Sequence, residues 1–566
     1  MNSPPRERGV PFSFGVPKGE VRTLCHQSKP NVKSGFHNCR IFPKTDGIVA
    51  KTASRRLFDL VRTLSPSERR HFTRYANSHA KGSPKYRQLF DLMLRQEVFD
   101  DAALSRRLYP ELPPGAKKFT ELKAYLYDLI LAALRSYDEK SSVAYRLGNA
   151  LLNLRTLFRR ARYGDCWTLL RKTEKLARRY EDYSTLLDLL SWEKRLIYAE
   201  ATFVESRKRL LEIETRERSY LERSEEVRAY QNLFFQTLLF IRRTVLKQPE
   251  GETFLSKLPE HPLLRTERTP VAFRAQIYCL KIRSFYEYVH RDYQRFHTHN
   301  QSLLDLFEQR PELIREEPGE YVAVINNQII AAGYLKKYDE VEALVERIGR
   351  YSSVTKYEAR QAFRTYYDAK LRLHIQRGEF REGLETLHRQ QRDFEKHRFT
   401  DIRPSSYYFQ YFYLYFGNEE YGTALDYLNE WLNLPRSQAR RDLQSLARIL
   451  NLLTHFEMGN YVLLESLVRA TERYQSKLER VSKVERSVTQ TVRAAYQLPG
   501  KRERQPVFIK LGKELTQLKK IPEERSLLEL FDLESWVAAH VERRSFASVV
   551  AGKFRADHSD RTGEAT

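Results

Sequence analysis

The sequence predicts an all-α fold: a right-handed α-solenoid of helical hairpins, period about 41 residues, with a helical N-terminal cap and C-terminal capping helices. Three observations carry this expectation. The 566 residues include only 22 Gly and 22 Pro, while 30% are charged and 41% apolar, a balance that suits long amphipathic helices and supplies too few turns for a sheet protein. Apolar side chains recur at helical spacing along most of the chain. Six segments also share a small or polar turn followed by an aromatic residue: Tyr163, Tyr293, Tyr338, Phe380, Tyr421 and Tyr461, the last five separated by 45, 42, 41 and 40 residues. A constant spacing of that size marks stacked hairpins, each too small to bury its apolar face alone.

Residues 1–48 hold 6 of the prolines and 5 of the glycines without hydrophobic periodicity, so a disordered leader is expected there. Helical patterning starts near Lys51, and the codon of Val49 can serve as a bacterial start, which would leave the leader untranslated. Residues 49–140 form the expected cap domain. Leu57, Leu60, Val61 and Leu64 make one helix face, and Ser65-Pro66-Ser67-Glu68 supplies an N-cap serine, a proline at the first helical position and a glutamate three residues after the cap. Further helices are predicted from about Pro84 to Gln96 and Phe119 to Tyr137.

Residues 141–247 should hold the first hairpins, with room for about three units of the common length between Tyr163 and Tyr293. A Pro/Gly break follows at 248–270, then the main repeats at 271–480. Two capping helices are expected at about 506–520 and 523–548 within a closing region 481–548, the second with an apolar stripe through Leu527, Leu530, Phe531, Trp536 and Val537. Residues 549–566 should be a disordered tail.

Gly417, Tyr421, Ala424, Tyr427, Trp431 and the terminating Pro435 resemble the second half of a tetratricopeptide repeat; Gly378, Phe380, Gly383 and Leu387, and Gly459, Tyr461, Leu464 and Val468, match more loosely. The period exceeds that family's 34 residues. From Lys51 onward the chain also resembles a group of uncharacterised bacterial helical-repeat proteins that open with a segment of the type SRRLFDLVRTLSPSERRHF. These resemblances imply architecture and an interaction role, with no chemistry to carry over. The expected function is a non-catalytic scaffold that binds a peptide or partner helix in its concave groove.

Charge supplies the rival expectation, a nucleic-acid-associated protein. The formal charge is +25, divided as +5 over residues 1–50, +7 over 51–140, +8 over 141–180, 0 over 181–479 and +5 over 480–566. In the densest part Arg155, Arg159 and Arg162 follow helical spacing, with Arg160 beside them, and Arg171, Lys175 and Arg178 make a second stripe joined by Lys172 and Arg179. Two adjacent helices would present one basic ridge able to meet phosphates, an acidic protein or only solvent. Eight aromatic residues between Tyr407 and Phe416 cover every face of a helix. They read either as an inner packed helix or, through Tyr407, Tyr408, Tyr411 and Tyr415, as groove contacts for a peptide.

Catalytic signatures are sparse. The sequence contains no G-x-G-x-x-G, Walker, H-E-x-x-H or G-x-S-x-G motif. His297 and His299 are two apart and point in different directions on a helix. Cys25, His26, His37 and Cys39 match no common zinc spacing. Cys166 and Cys279 fall inside helical apolar patterns and read as buried thiols. No enzyme activity, cofactor or metal is therefore expected. No uncharged stretch reaches the length of a membrane span, and the N-terminus lacks the apolar core of a secretory signal, so a cytoplasmic location is the default.

Overall fold

The computed structural model describes residues 53–562, apart from 80–84, 114–115, 140–141, 201–202, 246–248, 266–268, 352–355, 398–406, 434–440, 477–480, 522–523, 525–527 and 529. The leader, the Val49 start, the Cys25–Cys39 cluster and Pro435 lie outside the described residues. The described residues form helices and no strand.

The cap comprises α1 (Ala53–Thr63), α2 (Pro66–His79), α3 (Lys85–Arg95), α4 (Asp101–Leu108) and α5 (Lys117–Asp138). Its core gathers Leu57, Val61, Leu89, Met93, Phe119, Leu126 and Ile130, all buried. The capping box before α2 forms as the sequence predicts: the Glu68 N–H donates to Ser65 Oγ (3.3 Å) and the Ser65 N–H to Glu68 Oε2 (2.6 Å).

Next come α6 (Val143–Phe158), α7 (Tyr163–Arg179), α8 (Tyr183–Glu200), α9 (Phe203–Val245), α10 (Pro249–Lys257), α11 (Phe273–His290), α12 (Tyr293–Glu308) and α13 (Pro311–Glu316). The regular array continues with α14 (Pro318–Tyr334), α15 (Tyr338–Gly349), α16 (Lys356–Arg377), α17 (Phe380–His397), α18 (Tyr408–Gly417), α19 (Tyr421–Leu432), α20 (Arg441–Glu457) and α21 (Tyr461–Ser476). Helices α22 (Lys483–Tyr496), α23 (Lys501–Leu518), α24 (Leu533–Glu542) and α25 (Phe546–Thr562) complete the described chain.

Within the array, the second helix of each hairpin packs on the first helix of the next: α12 on α14, α15 on α16, α17 on α18, α19 on α20 and α21 on α22. First helices also touch their successors, α14 with α16 and α16 with α18. Contacts between neighbours in sequence make this a helical-repeat solenoid.

Each of the six aromatic anchors is the first residue of the second helix of its hairpin. Two residues before each lies a left-handed residue: Ala161, Arg291, Lys336, Gly378, Glu419 and Gly459, with φ between 52° and 72°. That residue's N–H donates to the carbonyl three residues back (3.0–3.3 Å), and the next N–H to the carbonyl five back (2.9–3.1 Å). This is the Schellman arrangement, which satisfies carbonyls left open at a helix end. Four of the six positions carry a side chain, at a steric cost of about 1–2 kcal/mol each, offset by the two recovered hydrogen bonds. The residue three beyond each anchor (Cys166, Phe296, Val341, Gly383, Ala424 and Leu464) is buried, so the turn fixes which face of the second helix enters the core.

Three sequence expectations need correction. The interval 163–293 does not hold three units of common length. A seventh turn of the same kind, with Glu181 left-handed (φ 50°), opens α8 at Tyr183, and α9 then runs 43 residues, because no glycine or proline interrupts 203–245. The 248–270 break is partly helical, since Pro249 stands at the first position of α10, where a proline's missing N–H costs nothing.

The tail 549–566 is helical as far as Thr562, because α25 has a surface to cover. Phe546, Val549 and Val550 are buried, Phe554 packs on Tyr338 (4.8 Å between ring centroids), and Lys336 pairs with Asp557. Before it, α24 is held to the array by Glu457, which accepts from Trp536 Nε1 (2.6 Å) and bonds His540 Nε2 (2.8 Å).

One turn carries a pH dependence. His455 is buried, its Nδ1 bonds the Asn460 side chain across the turn (3.2 Å), and burial lowers its pKa. A histidine with a depressed folded pKa stabilises fully above its unfolded value of about 6.5, and the contribution is lost as pH falls below it. Thermal unfolding of the wild type should therefore shift to lower temperature between about pH 7 and 5, and His455→Gln should flatten that shift. Equal pH slopes for the two proteins would contradict this role.

Candidate interaction surfaces

The structure places the predicted cations of α6 and α7 on exposed positions. Helices α6 and α7 pack as an antiparallel hairpin, with Phe158 against Tyr163 (5.3 Å) and Cys166 Sγ at 3.8 Å from the Leu154 carbonyl oxygen. All nine cations, Arg155, Arg159, Arg160, Arg162, Arg171, Lys172, Lys175, Arg178 and Arg179, are exposed. Arg162 pairs with Asp165 (2.8 Å), Arg178 with Glu174 (2.7 Å) and Arg179 with Glu312 (3.5 Å). The other six have no carboxylate within 4.0 Å among the described residues.

The neutral part of the chain carries bridges such as Arg216 to Glu193 (2.7 Å), Arg310 to Glu181 (2.8 Å), Arg347 to Glu308 (2.8 Å) and Arg377 to Glu342 (2.7 Å). The last pair is tight enough to hold the Glu342 carboxyl below its usual range through the Arg377 hydrogen bond.

The groove reading of the tyrosines is overturned. Tyr407, Tyr411 and Tyr415 are 3%, 5% and 7% exposed, and Tyr408 is half-buried against Tyr427. Their helix, α18, lies between α16, α17 and α19, so its rings are consumed by packing. Three of the hydroxyls are hydrogen-bonded: Tyr411 donates to Gln390 Oε1 (2.9 Å), Tyr413 accepts from the Asp532 N–H (3.0 Å), and Tyr415 bonds His388 Nε2 (3.3 Å).

Sequence reasoning missed where the exposed apolar side chains collect. Of fifteen large ones among the described residues, Tyr198, Leu210, Leu211, Leu221, Phe235 and Leu239 all lie on α8 and α9. On α9 an exposed stripe runs through Leu211, Glu214, Arg218, Leu221, Glu225, Arg228, Asn232, Phe235 and Leu239. Its alternating steps of three and four residues make a continuous band over about 42 Å that winds slowly round the helix, about 20° per heptad. The signal was present in the sequence as this alternation, hidden because charges interrupt the apolar positions.

The titratable groups show no assembled chemistry. Cys166 and Cys279 are buried and burial pushes both thiols up, away from the reactive thiolate. His297 bonds the Glu340 carboxylate (2.8 Å), which also accepts from the buried Gln328 (2.7 Å). Among the described residues no group of three His, Cys, Asp or Glu is placed to hold a metal ion, and no helix is long and apolar enough to cross a membrane.

These features define an all-α helical-repeat protein with two exposed surfaces of different chemistry, one cationic on α6–α7 and one mixed apolar on α8–α9. No protein-family model matches the chain, and no curated protein matches its sequence.

Proposed function

We propose that the chain is a non-catalytic protein–protein interaction scaffold of the tetratricopeptide-like class, acting in the cytoplasm. The observation that carries this reading is the concentration of exposed apolar side chains on α8 and α9, in a molecule whose other aromatic residues are largely spent on packing its hairpins. Apolar patches set among charges mark protein-binding surfaces, because desolvating them is favourable and the rim supplies specificity. The partner fits along the α9 stripe as a helix or extended segment, its apolar residues meeting Leu211, Leu221, Phe235 and Leu239 and its charged ones Glu214, Arg218, Glu225 and Arg228. Helix-on-helix docking of this kind uses anchors at the same three- and four-residue steps.

Affinity purification of the full chain after nuclease treatment should recover a defined protein, and Leu211→Glu, Leu221→Glu and Phe235→Glu together should abolish its recovery. Recovery of the same protein by the triple variant, or of nucleic acid alone, would sink the reading.

A further inference from the structure

We infer that the α6–α7 ridge is a docking surface for the phosphate backbone of a nucleic-acid duplex, read without regard to base sequence. Six cations there, Arg155, Arg159, Arg160, Arg171, Lys172 and Lys175, are exposed and lack a carboxylate among the described residues, although ion pairs are common elsewhere in the molecule. Four of the six are arginines, whose planar fork matches phosphate oxygens in pairs.

An acidic protein is the less fitting occupant. Stable protein interfaces need desolvated apolar anchors at their centre, and charged residues are depleted there. The outer face of α7 offers Thr168, Arg171, Lys172, Lys175, Arg178 and Arg179 with no exposed large apolar residue, and α6 exposes only Tyr145 and Leu152. A single strand fits less well too, because sequence-independent single-strand binding rests on a row of aromatic rings under the bases, and Tyr145 is the one exposed aromatic side chain on this hairpin.

The dimensions suit a duplex. The antiparallel pairing sets Arg159 beside the turn and Lys175 level with Arg146, so the cations are spread over about 20 Å of helix length. One strand presents a phosphate every 3.4 Å or so along the axis, giving about six phosphates to six cations. Contacts of this kind position a backbone and carry no sequence information.

The test uses the full chain and a labelled DNA duplex of about 20 base pairs, titrated between about 50 and 200 mM salt. Wild type should show a slope of log affinity against log salt near −5, about 0.9 per neutralised phosphate. The quadruple reversal R155E/R159E/R171E/K175E should lower affinity more than about 100-fold and bring the slope to about −2, the value for the two cations that remain at about 0.9 each.

A matched reversal on the neutral array, R381E/R389E/R392E/K396E, also on exposed positions, should stay within about threefold of wild type. Equal circular-dichroism melting of all three proteins shows that exposed substitutions leave the fold intact. The inference is overturned if the ridge variant binds like wild type, if both variants lose affinity equally, or if a single strand of the same length binds more tightly than the duplex. It stands apart from the scaffold reading, because the ridge variant should still recover the protein partner after nuclease treatment.

Discussion

Phe380→Ala is expected to lower stability by about 3–5 kcal/mol, the range for deleting a buried aromatic ring whose site cannot collapse. Phe380 is 2% exposed and sits among Tyr413, Phe546 and Gly417, with ring centroids 6.2 Å from Tyr413 and 5.6 Å from Phe546. Gly417 is what makes room for it: a Cβ at that position would lie 2.3 Å from the Phe380 ring. Gly417→Ala alone should therefore cost about 1–3 kcal/mol through overpacking. The double variant should cost less than the two single effects added, because the new methyl enters the space the ring leaves. Chemical denaturation followed by circular dichroism measures all three, and strict additivity would show that the ring and the glycine do not share a site.

The second large effect separates two glycines that share a backbone conformation. Gly378 and Gly459 have φ of +71° and +72° and occupy the same place in two Schellman turns, with the Glu419 turn between them. At Gly459 an added Cβ meets nothing within 4 Å, so Gly459→Ala should cost only the left-handed penalty of about 1–2 kcal/mol. At Gly378 the Cβ would lie 2.7 Å from the Ala551 backbone nitrogen and 2.9 Å from the Ala547 carbonyl oxygen. These atoms belong to α25 and cannot yield by rotating a side chain. Gly378→Ala should cost about 3 kcal/mol or more and should speed hydrogen exchange across residues 546–557 as α25 lifts away. Equal costs at the two glycines would mean that α25 does not seat on this turn.

What was legible in the sequence was whatever repeats. The aromatic anchors could be found because a left-handed turn and a buried position three residues later recur at nearly constant intervals, and each anchor proved to begin a helix. Tyr183 escaped because it follows Tyr163 by 20 residues and so falls outside the period, although Glu181-Asp182-Tyr183 has the same turn chemistry as Arg291-Asp292-Tyr293.

The cations were legible as spacing, and so was the Glu174–Arg178 pair four residues apart, but the neutralisation of Arg179 depends on Glu312, contributed by α13 more than 130 residues away. For the Tyr407–Phe416 run, composition left open whether the rings face a groove or a core. The packing of α16, α17 and α19 around α18 decides it. The tail could not be read as helix from its own pattern, because Phe546 and Phe554 pack on rings far back in the chain, Phe546 on Phe380 and Tyr413 and Phe554 on Tyr338.

The central claim is that two exposed surfaces on neighbouring hairpins serve two different kinds of partner. One experiment addresses it directly: wild type, the α9 stripe variant and the ridge variant are each assayed for recovery of the protein partner after nuclease and for duplex binding at about 50 mM salt. The account predicts a crossed result, with the stripe variant losing the protein and keeping the duplex, and the ridge variant doing the reverse. Loss of both ligands by either variant, with the fold intact by circular dichroism, would contradict it.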